Sequence, residues 1–175
     1  MNEVLFSSKD QTWCTPQGFF DALDGEFRFI LDAAATEETA KCERYFTPED
    51  DGLSRLWMCR GGAVFCNPPY GREIGKWVKK AYKESLNGTT IVLLIPARTD
   101  TAYFHRYIYG KAEIRFVRGR LKFADKKGNI QKNSAPFPSM IVIYNGNQKD
   151  VTSGTTRVYD AADYNPKKQS AKLKT

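Results

Sequence analysis

Asn67-Pro68-Pro69-Tyr70 is the part of the chain whose residue types and spacing are best suited to chemistry. A short apolar run, Ala63-Val64-Phe65-Cys66, precedes it and Gly71 follows. Each proline fixes φ near −65° and lacks an N–H. The residue before each proline is pushed to extended geometry. Such a turn holds the Asn67 side chain and the Pro68 carbonyl side by side, with an aromatic ring just beyond. Two fixed acceptors and a stacking plane suit a flat group carrying an exocyclic amine, such as adenine. An aromatic amine is a poor nucleophile because its lone pair is delocalised into the ring. Placement and electrostatics can supply most of the rate.

The elements that must position this turn read as alternating strands and helices. Thr15-Pro16 opens a helix predicted from Gln17 to Leu23, with Thr15 as cap and Pro16 at the first helical position. Phe27 to Leu31 reads as a strand ending at Asp32-Ala33-Ala34-Ala35. Asp51 to Trp57 is a short helix or turn, and Ala63 to Cys66 is the strand entering the tetrad. Ile74 to Leu86 has helical spacing closed by Asn87-Gly88. Ile91 to Pro96 is apolar throughout, as a strand covered on both faces should be. A helix over Tyr103–Tyr109 and strands over Glu113–Val117 and Met140–Tyr144 complete the pattern. It predicts a three-layer α-β-α, Rossmann-like fold with a mainly parallel sheet. Ligands of such sheets bind at the carboxyl ends of the strands, where Asp32 and Asn67 both fall. About 30 residues separate Asp32 from the tetrad's strand, too few for two βα units, so that half of the sheet should be trimmed.

At 175 residues the chain reads as one domain over 1–164 with a basic, mobile tail over 165–175. No segment approaches the ~20 apolar residues of a membrane span, and the start lacks signal-peptide character. A cytoplasmic location, the host's if the chain is phage-encoded, is therefore expected. Cys14, Cys42, Cys59 and Cys66 show no metal-type spacing, and His105 is the single histidine. Free thiols, no metal and a structural His105 are the expectation. The net charge of +7 favours a polyanionic partner, and the same residues would also serve as a solvated basic face.

The blocks WCTPQGFFDAL, FILDAAAT, TAKCERYFTPEDDGL, LWMCRGGAVFCNPPYG, WVKKA, IVLLIPARTDTAYFH and FVRGRLKF follow one another in this order between Trp13 and Phe123. Together they resemble phage-type DNA N6-adenine methyltransferases of the Dam family. The resemblance implies S-adenosyl-L-methionine as cofactor and double-stranded DNA as partner, with the chain acting as a monomer or weak dimer. It implies that Asn67 and Pro68 accept the N6 amine of a flipped-out adenine, that Pro69 stiffens the turn and that Tyr70 stacks on the base. Asn67 would also border the cofactor. Asp32 would take the methionine ammonium, with Ala33 and Ala34 replacing the glycines usual in amino-methyltransferases. Thr15 and Pro16 would contact the methionine carboxylate, and Trp13 would cover the cofactor. Asp50 or Asp51 would bind the ribose or the cofactor's adenine, or else simply begin a helix. Arg98, Arg118, Arg120, Lys122, Lys126 and Lys127 would hold DNA. Phe123 would add an aromatic wall beside the base, or lie in the core. The tetrad alone also fits methylation of cytosine N4, RNA or protein glutamine, and a catalytically silent DNA-binding relative.

Overall fold

The computed structural model describes residues 13–146 and 156–160. The tail expected at 165–175 lies outside them. Among the described residues six strands form one sheet: β1 (Phe29–Asp32), β2 (Ala63–Cys66), β3 (Thr90–Pro96), β4 (Glu113–Arg118), β5 (Ser139–Tyr144) and β6 (Thr156–Asp160). Their order is β1-β2-β3-β5-β4-β6. Helix α1 (Gln17–Phe27) covers one face, and α2 (Ile74–Ser85) with a π-helical turn (Phe104–Ile108) covers the other. The alternation of side chains along β3 divides the core accordingly. Ile91, Leu93 and Ile95 point to the α2 side, and Val92 and Leu94 to the α1 side.

The sheet is mainly parallel, as expected, but mixed, because β5 alone among the described strands runs against the others. β1, β2 and β3 run parallel, and β4 and β6 run parallel. β5 is antiparallel to both of its neighbours, β3 and β4. Direction is invisible in a run such as Met140–Tyr144, which is buried at every position. The connection before it held the clue. A parallel return needs a crossover, usually helical, and residues 119–138 contain no helix. That segment instead folds outward and comes back, so β5 starts at the edge of the sheet where β2 and β3 end.

Helix α1 continues four residues beyond its predicted end. Arg28 stops it in a left-handed turn (φ 55°), donating its N–H to the Asp24 carbonyl. The Asp24 carboxylate takes the next N–H, from Phe29, at 2.7 Å. No glycine marks this stop, so the sequence pattern merged Phe27 into the strand. Residues 33–62 contain no further strand or helix, only turns and one bridge pairing Tyr45 with Asp32. Segment 44–46 thereby lies along β1. The Asp32 N–H reaches the Arg44 carbonyl, and the Phe46 N–H reaches the Asp32 carbonyl, each at 3.0 Å. Gly62 lets the chain return closely: a Cβ there would stand 2.6 Å from the Arg28 carbonyl oxygen.

Candidate active site

Parallel pairing sets Asp32 opposite Phe65, two residues before Asn67. The two chemistry-bearing strand ends therefore lie next to one another. They share a cleft of about 320 Å³ whose wall includes Trp13, Thr15, Asp32, Ala34, Asp51, Asn67, Pro68 and Pro69. This volume falls in the range usual for small-ligand sites.

The Asn67 amide is held from one side. Its Nδ2 donates to the Trp13 carbonyl at 2.6 Å and to Thr15 Oγ1 at 3.0 Å. Its Oδ1 is buried and has no hydrogen-bond partner among the described residues. A buried carbonyl oxygen without a donor is uncommon and asks for an explanation. Here the donors are spent on orientation and the acceptor is left available. Thr15 thus serves Asn67 and does not cap α1, which begins after Pro16 with no side-chain cap. The preference of threonine for helix starts hid this longer-range bond. Pro16 itself is buried outside the cleft wall. Ala33 is also outside it, tied by its N–H to the Phe65 carbonyl at 2.9 Å.

Tyr70 is pinned by its hydroxyl, which donates to the Leu94 carbonyl at 3.1 Å. Burial drives this hydroxyl's pKa well above its ordinary value, so it remains neutral. Its ring meets Phe137 edge to face, with centroids 5.5 Å apart. Trp13 packs on Phe137 at 5.2 Å and on Phe123 at 5.4 Å. Phe123 is wholly buried. It backs these rings from the core and presents no surface to DNA, because the hairpin folds it inward. The half-buried Phe137 is the more accessible ring beside Tyr70, and it lies just before the predicted strand, where no pattern singled it out.

Asp32 is only 3% exposed. It accepts the Lys41 N–H at 3.1 Å and the Ala34 N–H at 3.4 Å. Burial raises its pKa to about 7, and the two backbone bonds oppose that only in part. Of the two later aspartates, Asp51 lines the cleft, on a left-handed residue (φ 53°). Asp50 does not: it is occupied by the Thr47 N–H and hydroxyl, at 2.9 and 3.0 Å, and by Arg55. Those bonds hold its carboxyl below the usual range. Sequence reasoning missed Lys41, Phe46 and Trp77, which also line the cleft. The signal available was the block TAKCERYF, whose edge pairing rests on a single bridge.

The expected DNA-facing residues fall in two places. Lys122, Lys126 and Lys127 are exposed on a hairpin spanning Leu121–Ala135. It is fastened to the cleft through the Ala124 N–H, which reaches the Cys14 carbonyl at 2.8 Å. Its tip is rigid, because Asp125 Oδ1 accepts the N–H groups of Lys127 and Asn129 at 2.8 and 2.9 Å. Arg118 and Arg120 are exposed at its base. Arg98 is exposed after β3, at the same edge of the sheet. Cys14 and Cys66 are buried, Cys42 and Cys59 half-buried, and none of the four forms a disulfide. Among the described residues no cluster could hold a metal ion, and no helix is long and apolar enough to cross a membrane.

A mixed α/β domain with a ligand cleft beside a fixed amide acceptor is compatible with a methyltransferase fold. The family model of DNA N-6-adenine-methyltransferase (Dam) matches residues 3–166. A DNA N-6-adenine-methyltransferase of Escherichia phage T1 is 36% identical over 110 residues, covering 62% of this chain and 45% of the phage protein. One from Haemophilus phage HP1 is 26% identical over 141 residues, covering 79% of this chain and 80% of that protein. The chain belongs to the DNA N-6-adenine-methyltransferase (Dam) family.

Proposed function

We propose that the protein transfers a methyl group from S-adenosyl-L-methionine to N6 of an adenine turned out of double-stranded DNA. The observation that carries this reading is the buried, unpartnered Oδ1 of Asn67 beside the cleft. The chain's own residues suit both ligands. Asp32, buried and without an ion pair among the described residues, offers a carboxylate to an ammonium group. Asp51 lines the cleft and would bind the ribose, and Phe46, Pro48 and Trp77 give the cleft an apolar wall. When bound, S-adenosyl-L-methionine supplies a methyl carbon made electrophilic by its sulfonium.

Asn67 Oδ1 and the Pro68 carbonyl accept the two hydrogens of N6. Accepting both out of the ring plane draws the nitrogen toward tetrahedral geometry and returns its lone pair for attack; as N6 bonds to the methyl carbon the carbon–sulfur bond would break, and the methylated nitrogen would lose one of its two protons to solvent. The acceptors are neutral and preplaced, so they need not reorganise as charge develops on nitrogen. Tyr70, with Phe137 beside it, supports the base face, and stacking of ~1–3 kcal/mol per base offsets part of the cost of extrusion. Arg98, Arg118, Arg120, Lys122, Lys126 and Lys127 hold the backbone around the cleft mouth. The site is reached from the cytoplasm, where such DNA lies.

The test is to express the protein in cells lacking adenine methylation and sequence their DNA for modified bases. N6-methyladenine at a fixed short sequence, lost with Asn67→Ala, is expected. N4-methylcytosine, methylated RNA or methylated protein glutamine would overturn the substrate. Unmodified DNA from a well-expressed, folded protein would overturn the activity.

A further inference from the structure

Two ionisable side chains of opposite sign line the cleft without pairing to each other. Among the described residues Asp32 receives only backbone N–H groups, and no ion pair forms between it and Lys41 within 4.0 Å. The Lys41 backbone sits against Asp32, giving its N–H to Oδ2, but its side chain reaches away. Its Nζ donates instead to Gln17 Oε1 at 2.8 Å, at the first turn of α1. That eleven-residue helix starts with no side-chain cap and no acidic residue in its first turn, so its positive end stands on the same side. Asp32 and Lys41 both line the cleft, and the Lys41 ammonium, held at Gln17, stands more than 4.0 Å from the Asp32 carboxylate.

We propose that Lys41 binds the carboxylate of the methyl donor's amino-acid end while Asp32 binds its ammonium, so that the cleft reads the zwitterion as a unit. The inference rests on the proposed use of S-adenosyl-L-methionine and adds the residue that selects its carboxylate. An α-amino acid carries its two charges on one carbon, so it fits between two fixed groups that are too far apart to satisfy each other. Burial disfavours the charged form of both side chains: it pulls the Lys41 pKa down and pushes the Asp32 pKa up. A bound zwitterion reverses both tendencies, supplying each with an opposite charge. The Thr15 hydroxyl accepts from Asn67 and keeps its own O–H for donation, so it is the rival carboxylate donor that the test must separate from Lys41.

Calorimetric binding of S-adenosyl-L-methionine and of its decarboxylated analogue, to the wild-type protein and to Lys41→Gln and Lys41→Met, tests this. The analogue keeps the ammonium, the ribose and the base, so its binding also reports that each variant is folded. Loss of one charge-assisted bond should weaken S-adenosyl-L-methionine roughly tenfold to a hundredfold. Affinity for the analogue should not change, and the wild type should prefer the carboxylated form by a similar factor. Equal weakening of both ligands, or undiminished binding of the carboxylated one, would overturn the assignment. A selective loss in Thr15→Val with none in Lys41→Gln would overturn it in favour of Thr15. If the wild type bound neither ligand, the methyl-donor reading itself would fall.

Discussion

Thr15→Val keeps the shape of the side chain and removes one of the two acceptors that orient Asn67. In the structure Nδ2 is shared between the Trp13 carbonyl at 2.6 Å and Thr15 Oγ1 at 3.0 Å. Turned over by 180°, the amide would set Oδ1 against the Trp13 carbonyl oxygen and aim its NH₂ at an incoming amine. The orientation that presents an acceptor is therefore held by two bonds and by the avoidance of an oxygen–oxygen contact. Thr15 is 3% exposed, so water does not readily replace its hydroxyl. Losing one bond and leaving one buried donor hydrogen unmet costs about 1–2 kcal/mol. If that cost falls on the oriented, reacting state, kcat drops roughly 5- to 30-fold. Asn67→Ala removes the acceptor itself and should cost ~10²–10³ in rate, as loss of one preorganised transition-state hydrogen bond does elsewhere. Single-turnover methyl transfer from tritiated S-adenosyl-L-methionine to a duplex measures both, with cofactor affinity followed separately. Thr15→Ser should recover most of the rate. A Thr15→Val enzyme with wild-type kcat at saturating cofactor would refute the clamp, as would a serine variant no better than valine.

Three further outcomes follow from the geometry. Ligand-free Asp32 titrates near pH 7 against about 3.9 in an unfolded chain. Between about pH 4 and 7 the folded state then binds more protons than the unfolded one, so this group's contribution to stability falls as pH rises through that window. Thermal unfolding of the wild type relative to Asp32→Asn should show the decline and a plateau above pH 7. Gly52→Ala places a Cβ 2.4 Å from the Ala33 carbonyl oxygen and 3.0 Å from the Trp77 ring. That overpacking should cost about 1–3 kcal/mol and lower Tm by roughly 2–12 °C in calorimetry. Replacing Lys126 and Lys127 together by Gln should weaken DNA binding at all sequences and reduce the slope of log K against log salt by about 2, measured by fluorescence anisotropy.

The turn proposed to take the base was legible because its determinants are local. Four consecutive residues, two of them prolines, dictate it, and the helix and strand on either side followed their periodicities to within a residue or so. The side proposed for the cofactor was less legible because its determinants are long-range. Lys41 and Phe46 are brought to Asp32 by a single parallel bridge, too short to give a strand pattern. Choosing between Asp50 and Asp51 needed the Thr47 bonds. β6 went unrecognised, and the reversal of β5 left no mark in a run buried at every position. A basic, partly aromatic hairpin could be anticipated, but the direction in which Phe123 pointed could not.

The reversed β5 has a consequence for how such a protein can change over generations. Because β5 runs against β4, the segment 119–138 departs and returns at one edge of the sheet, beside the tetrad. Its two ends are anchored while its middle projects away from the core. Lengthening, shortening or resequencing that middle leaves the register of β3 with β5 untouched, and with it the placement of Asn67. The proposed reading of DNA can therefore diversify on its own, like an interchangeable tool head, while the methyl-transfer chemistry behind it stays constant.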